Sequence, residues 1–223
     1  MPVRADGSAC FVVPADKNIF FQALDADYME VQRMRTFVNF QPGETRGCIG
    51  CHQTRAAAPP PRDPLAWREP PVRPGPQPGD TVPRPLYFPT DVQPILDRHC
   101  VRCHGAERSD GGLDLSGAPT QFFSRSYENI MRRPLVACIQ EFIGPDRHAQ
   151  TTNVTPLPPR ALGARASRLM TVLLAGHYDV RLSLDERVRL ATWLDANAPY
   201  YGSYFGRRNL KYRDMPDFRP VPK

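Results

Sequence analysis

The sequence lacks any run of apolar residues approaching the ~20 that a membrane-spanning helix needs. Its longest, Ile19-Phe20-Phe21 and Met170 to Ala175, are broken within a turn or two, which excludes a helical membrane span. Basic runs interleaved with aromatics are also missing. Although 29 Lys+Arg against 23 Asp+Glu give a formal charge of +6, the arginines that supply most of it alternate with acids along the chain. No nucleic-acid binding is expected from that pattern, whereas a mild positive charge suits docking to an acidic protein partner. An export signal is lacking too: Met1-Pro2-Val3-Arg4 is followed by Asp6, with no apolar stretch and no small-residue cleavage site.

Glycine, at 15 residues, is outnumbered by 26 prolines, and eleven of those prolines fall within residues 59–85. A stretch so poor in aliphatics cannot build a core and reads as an extended spacer that keeps two folded units apart. Trp67, in its middle, is expected to pack back onto a neighbouring unit. Before the spacer, Cys10 to Val13, Ile19 to Leu24, Met29 to Met34 and Thr36 to Phe40 read as strands, with Pro14 to Lys17 and Asp25-Ala26-Asp27 as turns. After it, the period becomes helical. Thr90 is the expected N-cap of a helix bearing Val92, Ile95 and Leu96. Ser167 caps one carrying Leu169, Met170, Leu173 and Leu174 that stops at Gly176. Ser183-Leu184-Asp185-Glu186 is a capping box opening a helix that ends near Asn197, ahead of Pro199.

Four of the six cysteines form two copies of one pattern, Cys48-Ile49-Gly50-Cys51-His52 and Cys100-Val101-Arg102-Cys103-His104. A random chain of this composition would contain a C-x-x-C-H match about 0.004 times, so the repeat is not chance. Cysteines at i and i+3 share a face of one helical turn, where they can bond the two vinyl groups of a single porphyrin, and the histidine at i+4 joins that face and reaches the iron. Zinc is the competing use of such pairs. However, Cys51 and Cys100 lie 49 positions apart, against about 15 to 20 in a zinc ribbon.

Two covalently bound haem c groups are therefore expected, through Cys48 and Cys51 with His52 as axial ligand, and through Cys100 and Cys103 with His104. Covalent attachment is completed outside the bacterial cytoplasm, so a periplasmic or otherwise exported location is expected, the signal having been removed or the chain being an excerpt of a longer one. Cys10 and Cys138 stand apart, and as buried single cysteines they are expected to be unpaired.

His177 directly follows Gly176, 73 positions after His104, where a loop can present a second axial ligand. The alternative is a histidine capping the helix end. His99 is assigned to the surface, as is His148, and Met34 with His148 are candidates for the far side of the first haem.

These residues carry a family resemblance. Phe20 to Asp25, Val31 to Arg35 and Gln41 to Glu44, leading to Cys48-Ile49-Gly50-Cys51-His52, resemble the region around the first haem motif of hydrazine synthase alpha-subunit-like, planctomycete-type dihaem cytochromes c. Asp91 to Leu96, Cys100 to Gly105, Gly111 to Ser116, Gly176-His177, Trp193 to Asp195 and Pro199 to Tyr204 resemble that family's C-terminal cytochrome domain. The resemblance implies that His104 and His177 hold the second haem. It also implies a tyrosine ligand four residues after the first motif histidine, where this chain has Ala56.

The expected fold is α+β. A small antiparallel β-unit at 1–58 ends in the first motif, a Pro-rich linker follows at 59–85, a mainly helical cytochrome c domain spans 86–206, and 207–223 form a tail. The expected function is electron transfer between redox partner proteins, as relay or carrier and not as an enzyme. The alternative is a redox enzyme fragment of the hydrazine synthase type, whose open first haem acts on small nitrogen compounds or peroxide. Protein matured in an export-competent host should have the intact mass of the polypeptide plus two haems. A mass of bare polypeptide plus zinc would end the haem reading.

Overall fold

The computed structural model describes residues 1–34, 36–50, 63–77, 79–138 and 157–202, and the backbone of 142–143 and 149–150. Cys51, His52, Ala56 and His148 lie outside the described residues. Near the N-terminus, β1 (Gln22–Leu24) and β2 (Glu30–Arg33) pair antiparallel, Gln22 opposite Arg33, with a bulge between Ala23 and Leu24. The expected turn connects them: the Asp25 carboxylate accepts the N–H groups of Asp27 and Met29 at 2.9 and 3.1 Å, which stands in for the backbone bonds a tight turn leaves open. The flanking expected strands shrink to isolated bridges, Phe11 with Val72 and Ile19 with Val38.

The helices are α1 (Phe88–Asp91), α2 (Gln93–His99), α3 (Arg125–Arg132), α4 (Gly163–Ala166), α5 (Arg168–Ala175) and α6 (Leu184–Asp195). A second short pair, β3 (Phe142–Ile143) with β4 (Ala149–Gln150), lies between α3 and α4. Tyr87, and not Thr90, occupies the N-cap of α1, and the Asp91 carboxylate accepts the Tyr87 N–H at 2.7 Å from within the helix. Ser167 does precede α5, but its hydroxyl donates to Gly163 O at 2.7 Å and accepts from Ala137 N–H, so it ties two loops together instead of capping. The capping box at Ser183 and Glu186 is present, and α6 ends at Asp195.

Val92, Ile95 and Leu96 bury the expected face of α2 against Trp193 and Leu194 of α6, Met170 of α5 and Ile130 of α3. Phe88 lies at the centre of an aromatic group, 5.1 Å from Tyr127, 5.3 Å from Trp193 and 5.6 Å from Tyr200. Polar ends are satisfied at its edge, where Trp193 Nε1 donates to Pro199 O at 3.0 Å and the Tyr127 hydroxyl to Ala198 O at 2.9 Å. Met29 of the hairpin belongs to this same core, so the N-terminal segment and the helices share one apolar interior.

The Pro-rich stretch does not hold two units apart. Its first part is fastened to the N-terminus, where Asp6 accepts Leu65 N–H at 2.8 Å, Ser8 Oγ accepts Ala66 N–H at 3.0 Å, and Val72 exchanges backbone bonds with Cys10 and Val12. Its last part is fastened to the helices: Asp80 pairs with Arg84 and Arg189, and both arginines also reach Asp91. Burial alone would raise the Asp91 carboxyl. Hydrogen bonds from Arg84 and Tyr87 N–H outweigh that and hold it below its ordinary value. Trp67 is 68% exposed, contrary to the expectation that it packs back onto a neighbouring unit. Cys10 and Cys138 are free thiols, as expected. Among the described residues no helix is long and apolar enough to cross a membrane.

The hairpin is locked to the helices by polar groups that alternation could not assign to the interior. Glu30 and Arg33 are both buried, and Arg33 Nε donates to Glu30 Oε1 at 2.6 Å. Asp195, at the end of α6, accepts the N–H groups of Ala164 at 2.6 Å and Glu30 at 3.0 Å. Burial raises its carboxyl to about 6, although both N–H groups favour the carboxylate. The folded state therefore holds this proton more tightly than the unfolded chain, so the contribution favours folding at low pH and is lost as pH rises towards 6. Glu186, held down at about 2 from an ordinary 4.5, runs the opposite way and is complete below that window. Between about pH 4.5 and 6 the thermal midpoint should fall with rising pH, and Asp195→Asn should abolish that fall. The substitution also orphans one N–H group, at about 1–3 kcal/mol, readable by urea unfolding at pH 7.

Candidate functional site

The second motif continues α2 by one turn. Cys103 N–H donates to Cys100 O at 3.1 Å and His104 N–H to the same oxygen at 2.8 Å, which sets Cys100, Cys103 and His104 on a single face. The chain then folds back under the histidine, with Asp110 N–H on Cys103 O at 2.9 Å and Leu115 N–H on His104 O at 2.6 Å. His104 Nδ1 lies 3.0 Å from Asp110 O. With its proton on Nδ1 the ring donates there, which fixes the tautomer and leaves Nε2 as a lone-pair donor for a metal. Cys100 is half-buried against the core. That burial, ahead of the nearby Asp97 and Cys103, pushes its thiol up to about 11.

His177 reaches the same place from the other side. Gly176 ends α5 in a backbone conformation of φ 90°, ψ 119°, and a turn closed by Val180 N–H on His177 O at 3.1 Å holds the following residues. The His104 and His177 rings lie 6.0 Å apart between centroids, with planes only 18° from parallel. Rings in direct contact would stand about 3.5–4.0 Å apart. Two imidazole nitrogens each about 2.0–2.1 Å from one metal, with half a ring beyond each, give roughly 6 Å. The separation of the two rings thus leaves room for a metal between them. Among the described residues no group of three or more His, Cys, Asp or Glu side chains converges.

His99 is not the surface residue expected from its position. Its side chain is 17% exposed, and Nε2 lies 3.0 Å from Glu186 Oε1, which also takes Arg98 at 2.6 Å. Glu186 simultaneously completes the capping box of α6. Burial would raise its carboxyl, but Ser183 N–H and His99 outweigh that and bring it to about 2. The start of α6 is thereby bolted to the turn before Cys100. The capping box marked Glu186 in the sequence, but nothing local marked its partner, and nothing local marked the Asp110 carbonyl.

The first motif is only partly described. Cys48 is exposed, while Cys51 and His52 lie outside the described residues. Met34 is half-buried just beyond β2, its N–H on Phe21 O at 2.9 Å, and the histidine it would face is not among the described residues.

Comparison with known proteins adds two similarities. The family model for the hydrazine synthase alpha subunit middle domain matches residues 1–53. Hydrazine synthase subunit alpha of Kuenenia stuttgartiensis is 27% identical over 128 residues, which cover 52% of this chain and 16% of that protein. Both support the hydrazine synthase alpha-like relationship expected from the sequence, and the chain spans less than a fifth of that relative's length. No solved structure matches.

A Cβ at Gly176 would meet nothing within 4 Å, so any cost of adding one is conformational and not steric crowding. At φ 90° an L-residue is strained by about 1–3 kcal/mol. Gly176→Ala should destabilise the protein by that amount in urea unfolding, and the loop carrying His177 should become the first segment to exchange its amide hydrogens.

Proposed function

We propose that this chain is a dihaem c-type cytochrome that passes electrons between redox partner proteins in the periplasm or another exported location. The observation that carries the reading is the near-parallel pair His104 and His177 at 6.0 Å, with His104 on the turn that also bears Cys100 and Cys103. When bound, the iron exchanges one electron between ferric and ferrous states. The chain's own part is to hold the geometry constant. Asp110 O orients His104, Gly176 aims His177, the contact of His99 with Glu186 anchors the motif turn, and the apolar core beneath it lowers the local dielectric.

Cys48, Cys51 and His52 are assigned to the first haem, with Met34 as a candidate for its far side. A net charge of +6 would steer acidic partners to the surface.

A second reading has its own support, because the match to the hydrazine synthase alpha middle domain runs through the first motif. Under it the chain is part of a redox enzyme, and an open first haem acts on small nitrogen compounds or peroxide. The two readings differ at one axial position. An electron carrier has both irons six-coordinate and does not bind CO, whereas the enzyme reading requires a high-spin haem that does.

His177→Ala in the haem-loaded protein should convert about half the haem signal to high-spin and leave the other half unchanged, as expected when each ligand serves one iron. An unchanged visible spectrum would remove the ligand assignment.

A further inference from the structure

We infer that Arg187 is the positioning residue that binds a propionate of the second haem, a role that rests on the haem reading above. A cleft of about 240 Å³, lined by polar and apolar surface alike, lies between the second half of α5, the loop after Gly176 and the first turns of α6. Leu173, Leu174, Val180 and Leu182 form its walls, and Arg187 is one of two cations that line it. The other, Arg181, is exposed and donates to Val180 O at 3.2 Å.

Arg187 is different. Its Nε is fully shielded from solvent and has no hydrogen-bond partner among the described residues. A buried guanidinium donor left unpaired is costly, and the group that best matches its planar fork is a carboxylate. The adjacent carboxylate, Glu186, is already committed to His99, Arg98 and Ser183.

The cleft is connected to both histidines through neighbours in the chain. Gly176 and Val180 of its lining flank His177, and Arg187 follows Glu186, which holds the residue preceding Cys100. A volume of about 240 Å³ is below the about 300–1,000 Å³ of pockets that enclose a whole ligand. It suits one edge of a macrocycle: an apolar rim against the leucines and a carboxylate arm on Arg187. A cation there disfavours the ferric iron, so Arg187 raises the potential of this haem and fixes its in-plane orientation.

The test compares wild type, Arg187→Gln and Arg187→Lys, each carrying both haems, by redox titration and resonance Raman spectroscopy. Arg187→Gln should shift the reduction equilibrium of one haem about tenfold towards ferric, about 59 mV for one electron, and leave the other unmoved. The propionate bending band should shift in both variants, and Arg187→Lys should recover most of the potential. If Arg187→Gln does not mature, the band in Arg187→Lys decides: a shift supports the role and an unchanged band overturns it. Unchanged potentials and band in haem-loaded Arg187→Gln overturn it as well, while leaving the haem reading intact. Wild-type protein without a bis-histidine low-spin haem would overturn the underlying reading, and this inference with it.

Discussion

The buried carboxylate of Asp195 is the joint on which the rest of the molecule depends. It sits at the last residue of α6 and receives N–H groups from the start of α4 and from β2, while its own carbonyl accepts the Gln22 side chain at 2.7 Å. Three segments remote in sequence therefore meet at one residue. Space around it is fixed to the atom: a Cβ on Gly163, which already has φ +70°, would stand 2.2 Å from Asp195 Oδ1, so only glycine lets α4 begin there. Glu30 and Arg33 next to it form a buried pair that adds little stability in itself, but removal of either partner would strand a charge in the interior. What the arrangement supplies is specificity of docking, since a slipped register of the hairpin would part Glu30 N–H from Asp195.

A second polar knot, Asp91 with Arg84 and Arg189 and through them Asp80, fixes the opposite side of α6. Between the two knots α6 cannot slide or roll, and Glu186 in its first turn transmits that fixity to α2 and the motif turn. His104 and His177 lie on irregular backbone, His104 a turn beyond α2 and His177 directly after the glycine that ends α5. Their spacing therefore depends on how firmly α2 and α5 are packed against α6.

Sequence periodicity made parts of this frame legible. The buried face of α2, the stop at Gly176, the capping box and the two cysteine motifs all rest on local spacing, and local spacing is what a sequence displays. Other features depended on partners far along the chain. Glu30 and Arg33 read as ordinary exposed charges of a strand until Asp195 is placed beside them. His99 looks exposed until Glu186 arrives, 87 positions later. The proline stretch read as a stiff spacer because its composition forbids a core, yet composition says nothing about whether isolated acids and arginines within it find partners. Thr90 reads as a cap by residue type, but the helix starts earlier and Asp91 reaches back to satisfy the Tyr87 N–H from inside.

The position of Asp195 has a consequence for the order of events during biosynthesis. Glu30 waits for a partner 165 positions downstream, and Gln22 for one 173 positions downstream. Loops of that length close late, because their entropy must be met before the contact returns anything. A chain that emerges from its N-terminus first therefore presents both Cys-x-x-Cys-His segments before the joint that completes the fold exists. Those cysteines stand in an open chain until the last helix arrives to close it.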